Sequence, residues 1–212
     1  MKLARVLIAD DHTLLAEALR TLLQNHCEVV GIVGDGRALL EAAHRLKPDV
    51  AVVDLAMPLL NGLDATHQLK EKMPGLKVIF LTMNQDPDLA RRAMQAGALG
   101  YLLKRSAASE LIHAIREALK GRTYVTAEIS RGMQDTFIRR PRPRENDRTI
   151  TQRQREVIQL LSEGKTMKEA AHILKVSRRT IAFHKYRAME ELGIKNTADL
   201  IQFAINNHIL VS

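Results

Sequence analysis

The stretch VVDLAMPLLNG, Val52 to Gly62, places one carboxylate at the end of a short apolar run. Asp54 ends the run, and Pro58 and Gly62 then interrupt regular structure. A buried carboxylate without partners costs several kcal/mol, whereas a paired or hydrogen-bonded one costs little. The stretch therefore predicts a buried strand that ends at a charge, with partners supplied by other parts of the chain.

The composition is that of an ordinary soluble globular protein. The chain has 212 residues, of which 46% are hydrophobic and 26% charged, enough for one large domain or two small ones. The single cysteine, Cys27, excludes an internal disulfide and fits a reducing compartment. The N-terminus does not look like a signal peptide, and no apolar run approaches the ~20 residues of a membrane span. We therefore expect a cytoplasmic protein that does not bind membranes.

The net charge of +8 is distributed unevenly along the chain. Residues 1–120 contain 15 Lys and Arg against 14 Asp and Glu, so their net charge is about +1. Residues 121–212 contain 17 against 10, so their net charge is about +7. The basic half indicates a nucleic-acid partner. On charge alone, a solvated surface without a partner is an equally good interpretation.

Five apolar runs rich in β-branched residues predict strands in the first 120 residues. They alternate only weakly between apolar and polar residues, as expected for strands covered on both faces. The predicted strands are residues 5–9, 29–33, 50–54, 77–81 and 99–103. Amphipathic patterns typical of helices separate them. The order predicts an α/β fold with a doubly wound, five-stranded parallel sheet, whose ligands bind at the carboxyl ends of the strands.

The sequence changes character after the last of these units. The segment RRPRPRENDR, residues 139–148, has five arginines, two prolines and no hydrophobic residue. Such a segment cannot bury enough surface to order itself, so it predicts a linker, with direct binding of its arginines to phosphate as the alternative. We expect a first domain over residues 1–121, a linker over 122–148 and a second domain over 149–212.

The second domain has a wholly helical pattern. Residues 151–154 and 166–169 each fit a capping box, and Ser177 and Thr197 are expected to cap two further helices. The expected helices span about 152–163, 167–174, 178–191 and 198–207. A tight turn through Lys175 and Val176 joins the middle pair, which is a helix-turn-helix arrangement.

Functional groups follow four of the five predicted strands. Asp10 and Asp11 follow the first strand and Asp54 ends the third, which neighbours the first in a doubly wound sheet. Thr82 and Lys104 follow the fourth and fifth. Three carboxylates this close require a shared proton or a cation, and hard oxygen ligands suit Mg²⁺. We interpret His12 as a surface helix residue, because the metal-ligand spacing of histidines is absent around it.

Residues 1–120 resemble the receiver domain of two-component response regulators, through DD at 10–11, D-L-x-M-P-x-x-x-G at 54–62, Thr82 and Lys104. The resemblance makes Asp54 the residue that accepts a phosphoryl group from a histidine kinase. It implies Mg²⁺ held by Asp11, Asp54 and the backbone carbonyl of Ala56, with Asp10 acting through water. Lys104 and Thr82 would hold the phosphoryl oxygens.

The same resemblance makes Tyr101 a switch that turns inward when Thr82 moves toward the phosphoryl group. The alternative is a half-buried strand aromatic without a switching role. A rival function is a phosphohydrolase using Asp54 as its nucleophile, but the acid such an enzyme needs two residues on is replaced by Ala56. We therefore do not expect an enzyme.

Residues 149–212 resemble the LuxR-type helix-turn-helix of NarL/FixJ-type response regulators, through T-x-R-x-R-E-V-I at 151–158, V-S-R-R-T-I at 176–181, His184 and L-G-I at 192–194. The helix from 178 would enter a DNA major groove. Its expected DNA-binding residues are Ser177, Arg178, Arg179, Ala182, Phe183, Lys185, Tyr186 and Arg187. His184 is interpreted as a packing or backbone-binding residue rather than a base reader. Packing against the core is the alternative for Phe183.

The complete interpretation is a transcription regulator with a sensor histidine kinase and double-stranded promoter DNA as partners. Phosphorylation of Asp54 would control homodimerisation and promoter binding. A second rival keeps both domains but binds DNA independently of phosphorylation; the intact set Asp10, Asp11, Asp54, Thr82 and Lys104 favours the switch.

Overall fold

The computed structural model describes residues 3–138 and 150–210, and the chain divides into two compact units. The first unit lies within residues 3–138, and the second is made chiefly of residues 150–210. The arginine-rich segment predicted to be a linker lies outside the described residues. No helix in the described part of the chain is long and apolar enough to cross a membrane.

Parallel strands and helices alternate through residues 3–138. The strands are β1 (Ala4–Ala9), β2 (Cys27–Val33), β3 (Val50–Val53), β4 (Lys77–Thr82), β5 (Gly100–Leu103) and β6 (Tyr124–Val125). The helices are α1 (Thr13–Leu23), α2 (Gly36–Leu46), α3 (Gly62–Lys72), α4 (Pro87–Gln95), α5 (Ala107–Leu119) and α6 (Ala127–Ile138), with a 3₁₀ turn at Lys104–Ser106.

The strands form one sheet in the order β2-β1-β3-β4-β5-β6, with every pairing parallel. This order confirms the predicted α/β fold and the adjacency of the first and third strands. The sheet has six strands rather than the five predicted. The extra strand, β6, has two residues and pairs with β5 at Gly100 and Tyr101. A strand this short carries no hydrophobic periodicity, so the sequence pattern could not indicate it.

The centre of the sheet is fully buried because helices cover both of its faces. Residues 6–9, 50–53 and 78–81 are at most 1% exposed, which accounts for their nearly continuous apolar sequence. Burying each Val, Leu or Ile side chain contributes ~1.5–3 kcal/mol. This rigid centre fixes where the strand ends lie.

Helix α6 lies in the interval that the sequence assigns to the linker. It packs against α4, and a Cβ added to Gly132 would lie 2.7 Å from Cγ of Pro87. An ion pair from Arg105 to Glu128 ties its first turn to the residues that follow β5. The sequence analysis missed both β6 and α6, and α6 covers residues 127–138.

The four helices of the second unit agree with their predicted bounds to within one residue. They are α7 (Gln152–Ser162), α8 (Met167–Ile173), α9 (Arg178–Glu191) and α10 (Thr197–Asn206). Thr151 and Thr166 form the predicted capping boxes, and Ser177 caps α9. Thr197 was the wrong cap for α10. The cap is Asn196, whose side chain accepts the N–H of Asp199. Thr197 is the first residue of the helix itself, so the capping position falls one residue earlier.

The core of the second unit includes residues of its three last helices and of the turn before α9. Leu174, Ile181, Ala188, Met189 and Leu200 are buried there. Lys175 has a φ of 54°, which turns the chain sharply between α8 and α9 as the helix-turn-helix interpretation requires. This core holds α9 with one side inward and the other toward solvent.

Candidate functional site

The carboxyl ends of four neighbouring strands bring the predicted residues together. The N–H of Asp54 donates to the carbonyl of Ala9 at 2.8 Å, and the N–H of Asp10 donates to that of Val33 at 2.9 Å. Backbone hydrogen bonds of the sheet therefore continue to the residues that carry the carboxylates. The position of each side chain is set by strand register rather than by a loose loop.

Lys104 lies between two buried carboxylates. Its Nζ is 2.7 Å from Oδ2 of Asp54 and 2.9 Å from Oδ2 of Asp10. The lysine side chain is 6% exposed, and both carboxylates are 2% exposed. This ammonium is the partner that the opening stretch of sequence requires for its buried charge.

The charges at this site do not balance, and the pKa values reflect this. Burial raises the pKa of Asp54, the hydrogen bond and charge of Lys104 oppose that rise, and the charge of Asp10 adds to it. Burial by itself would lower the pKa of Lys104, but its two carboxylate partners outweigh burial and raise it. One ammonium faces two carboxylates, so a further cation would relieve the site.

The donor atoms fit a divalent cation. Ligand atoms of Asp10, Asp11, His12 and Asp54 all lie within 4.8 Å of one another. Three of these residues supply carboxylate oxygens, the ligands that Mg²⁺ prefers. Ala56 is half-buried at the same end of the sheet, where its N–H donates to Oδ1 of Asp54 at 3.2 Å.

His12 is a member of this cluster that the sequence analysis missed. Its Nδ1 lies 3.0 Å from Oδ1 of Asp10, 2.9 Å from Oδ1 of Asp11 and 3.3 Å from Nζ of Lys104. It precedes the first residue of α1, and its own N–H donates to Asp10. Its position directly after two aspartates at a strand end was the signal that could have identified it.

Thr82 and Tyr101 both form hydrogen bonds with the same residue, Asn84, in the loop after β4. The hydroxyl of Thr82 accepts the N–H of Asn84 at 3.1 Å, and the hydroxyl of Tyr101 donates to the carbonyl of Asn84 at 3.1 Å. Tyr101 is fully buried, so its ring already points inward in this structure. Burial, followed by the charges of Asp86 and Asp54, raises the pKa of Tyr101, which keeps its hydroxyl a neutral donor.

The loop after Asp54 is shaped by lack of space at Gly62. A Cβ there would lie 2.1 Å from the backbone oxygen of Asp54, closer than any real contact. The N–H of Gly62 donates to the carbonyl of Leu55 at 3.0 Å, which draws the two segments together. Leu59 turns the loop with a φ of 65°, a conformation uncommon for a residue with a side chain. The loop therefore returns against the carboxylate-bearing residue itself.

The outward side of α9 presents the residues predicted to bind DNA. Phe183 is 63% exposed and Tyr186 is 58% exposed, so neither is part of the core. Ser177 has its hydroxyl at the helix cap, where it accepts the N–H of Thr180 at 3.1 Å. The other predicted residues are exposed or half-buried, namely Arg178, Arg179, Ala182, Lys185 and Arg187.

The cations on α9 differ in their surroundings. Nε of Arg187 lies 2.8 Å from Oε1 of Glu191, one turn along the helix, and Nζ of Lys185 lies 5.4 Å from the centre of the Tyr186 ring. Within the described part of the chain, Arg178 and Arg179 have no acidic partner. His184 is half-buried and its ring meets that of Phe183 edge-on at 5.4 Å between centroids.

Two family models match the chain. Residues 6–116 match the response regulator receiver domain, and residues 148–204 match the bacterial regulatory proteins of the luxR family. These two matches coincide with the sheet-containing unit and with most of the helical unit.

Relatives and solved structures resemble the whole chain. The oxygen regulatory protein NreC of Staphylococcus aureus is 32% identical over 97% of this chain and 99% of its own length. The response regulator RcsB of Salmonella typhimurium is 27% identical over the full length of both chains, with a TM-score of 0.63. An RcsB–DNA complex is 29% identical over 95% of this chain and 98% of its own, with a TM-score of 0.61.

Proposed function

Since the chain belongs to the DNA-binding response regulators, with a receiver domain followed by a LuxR-type DNA-binding domain, we propose that phosphorylation of Asp54 switches its binding to promoter DNA. The observation that carries the proposal is Lys104 held between Asp54 and Asp10 at the carboxyl end of the sheet. An ammonium in that position can exchange a carboxylate contact for a phosphoryl oxygen. The phosphoryl donor is a sensor histidine kinase.

Transfer of the phosphoryl group begins with Asp54, whose carboxylate oxygen forms a bond to phosphorus. The bond from phosphorus to the histidine nitrogen of the kinase breaks, and the nitrogen leaves with the electron pair. Lys104 holds one phosphoryl oxygen by charge, and the hydroxyl of Thr82 holds another. Bound Mg²⁺ would supply positive charge that offsets the phosphoryl oxygens, held by Asp11, Asp54 and the carbonyl of Ala56, with Asp10 acting through water.

The switch follows from the shared contact at Asn84. When the hydroxyl of Thr82 turns to the phosphoryl group, it releases the N–H of Asn84, whose carbonyl accepts the hydroxyl of Tyr101. Because Tyr101 is already buried, the change is a shift of the loop around Asn84 rather than an inward swing of the ring. A bistable loop of this kind is a common element of switching proteins.

The output is binding of α9 in the major groove of promoter DNA by a phosphorylated homodimer. An α-helix fits that groove, and the predicted residues from Ser177 to Arg187 lie along its outward side. One solved structure similar to this chain contains two RcsB dimers bound to two DNAs. A DNA-binding regulator of this kind acts in the cytoplasm.

The experiment treats the full chain with acetyl phosphate and Mg²⁺ and measures its intact mass. We expect one phosphoryl group on the wild type and none on Asp54→Asn, with both proteins giving the same circular dichroism spectrum. A stable phosphoryl group on the variant would exclude Asp54 as the acceptor.

A second measurement tests the coupling to DNA. Footprinting on promoter DNA, with and without acetyl phosphate, should show stronger protection by the phosphorylated wild type. Lys104→Ala should still accept some label but lose the gain in DNA binding, because the lysine senses the new charge. Equal protection with and without phosphorylation would favour a regulator that binds DNA independently of Asp54.

A further inference from the structure

The middle of the exposed side of α9 is apolar. Ala182, Phe183 and Tyr186 lie within one turn of each other, because positions three and four apart share a face of a helix. The chain is poor in aromatic residues, with four Phe, three Tyr and no Trp, yet two of them are mostly exposed here. Leaving a Phe ring in water costs folding free energy that burial elsewhere would recover. An exposed pair on the predicted DNA-binding helix therefore indicates a ligand with apolar groups.

The cations of α9 lie around this apolar centre rather than in it. Arg178 and Arg179 are in its first turn, and Arg187 is directed to Glu191. Lys185 lies near the ring of Tyr186. An anionic ligand is therefore favoured at the edge, and an apolar contact in the centre. This combination fits DNA better than an apolar protein surface, which would gain nothing from the surrounding positive charge.

We propose that Phe183 and Ala182 contact the 5-methyl groups of thymine in the major groove, with Phe183 as the residue that determines specificity. The thymine methyl is the one apolar group that the base edges offer in that groove, and Phe and Ala are residues that contact it. Arg178 and Arg179 bind the flanking phosphates, which position the helix but carry no sequence information. The inference rests on the proposed function, because it requires α9 to bind DNA.

The experiment begins with a library of random DNA duplexes and the full chain treated with acetyl phosphate. Rounds of selection should enrich a half-site that contains at least one fixed thymine. The selected duplex is then synthesised with deoxyuridine in place of each thymine in turn, which removes only the 5-methyl group. At one position in each half-site, wild type should bind about fourfold more weakly, the effect of losing contact with one methyl-sized group.

Two variants separate methyl contact from general binding. Phe183→Ala should lose most of the fourfold preference for thymine over deoxyuridine, because the ring is gone and only Ala182 can still contact a methyl group. Arg178→Ala should keep the fourfold preference for thymine and should show weaker binding to all duplexes with a shallower salt dependence. Both side chains are exposed, so both variants should keep the circular dichroism spectrum and melting temperature of the wild type.

The possible failures are distinguishable. If the protein retains no duplex in any round of selection, both the inference and the DNA-binding function fail. If duplexes are retained but no sequence is enriched, the inference alone fails. If a sequence is enriched but every deoxyuridine duplex binds as well as its thymine counterpart, the inference alone fails. An undiminished preference for thymine in Phe183→Ala would likewise exclude Phe183 as the reader and leave DNA binding intact.

Discussion

The proposed phosphoacceptor site and the proposed DNA-binding side of α9 are built in opposite ways. Asp54 and Lys104 are at most 6% exposed and contact each other, whereas Phe183 and Tyr186 are more than half exposed. A phosphoryl group is small, so it can be surrounded by charges that are already in place and shielded from water. A DNA duplex is large, so the residues that read it must project from the surface.

The difference has a consequence for stability. Removing Lys104 from the buried site leaves two carboxylates without compensation, whereas removing a group from the outward side of α9 exposes nothing that was buried. Substitutions in the two regions should therefore differ in their effect on unfolding, even where each abolishes function. Four predictions test this contrast, beginning with the largest expected effect.

Lys104→Met should lower the free energy of unfolding by ~3–5 kcal/mol in the absence of Mg²⁺, because it leaves two buried carboxylates facing each other. Urea unfolding measures the change. Adding Mg²⁺ should recover much of the loss, since the cation replaces the missing positive charge. The control is Lys120→Met, whose side chain is 57% exposed beside Glu117, and its cost should be a small fraction of that of Lys104→Met. Similar losses in both variants would contradict the contrast.

Gly62→Ala should cost about 2–3 kcal/mol, because its Cβ would meet the backbone oxygen of Asp54, which cannot rotate away. The same displacement should slow phosphorylation by acetyl phosphate. Gly75→Ala is the matched control, since a Cβ at Gly75 meets nothing within 4 Å. That control should unfold at the same urea concentration as the wild type or slightly higher. A well-folded Gly62→Ala with normal labelling would disprove the role given to this close approach.

Asp54→Asn should melt a few degrees above the wild type at neutral pH, and the gap should close as the pH falls toward 4. The pKa of Asp54 is raised in the folded state, so folding favours its protonated form. The stability linked to this group is present at pH values below the unfolded pKa, and it is lost as the pH rises through the folded pKa. Asparagine resembles the protonated form at every pH and avoids that loss.

Glu117→Gln gives the control of opposite sign for the pH series. Hydrogen bonding to Lys120 lowers the pKa of Glu117, so its stabilising effect is present at neutral pH and is lost on acidification. This variant should therefore melt slightly below the wild type at neutral pH and match it in acid. Thermal melts of both variants from pH 4 to 8 measure the two trends, and parallel trends would contradict them.

Phe183→Ala and Tyr186→Ala should each change the free energy of unfolding by less than ~0.5 kcal/mol, because their rings are exposed. Ile181→Ala, on the buried side of the same helix, should cost ~2–5 kcal/mol. Urea unfolding of the three variants would show whether the outward residues of α9 contribute to the free energy of unfolding as its buried residues do. A cost for Phe183→Ala near that of Ile181→Ala would mean that Phe183 belongs to the core.

The sequence predicted the strand ends and three of the four helix caps of the second unit, because each depends on local pattern. Apolar runs located Asp54, Thr82 and Lys104 at neighbouring strand ends, and Thr-x-x-Gln and Thr-x-x-Glu patterns located the first turns of α7 and α8. These signals involve residues a few positions apart, so they can be recognised in the sequence without knowledge of the tertiary structure. The adjacency of the first and third strands then followed from general rules of parallel α/β folds.

The residues that the sequence missed act through contacts that local pattern does not encode. Asn84 links Thr82 to Tyr101 through its backbone N–H and carbonyl, which every residue other than proline has. His12 joins the acidic cluster because it is the residue that precedes α1 and its backbone N–H donates to Asp10. Helix α6 has a glycine at its centre, a residue that disfavours helices, and here the absent side chain allows Pro87 to approach.

Helix α6 extends the reach of the loop that contains Asn84. Asp86 ends that loop and caps α4, whose first residue, Pro87, contacts Gly132. The N–H of Thr126, just before α6, donates to the carbonyl of Tyr101 at 3.1 Å, so the start of the helix is anchored to β5. At 1.5 Å per residue, the 12 residues of α6 span roughly 18 Å. A rotation of roughly 10° about that anchor would move residue 138 by about 3 Å, so a small shift of the loop would become a larger displacement at the far end of α6.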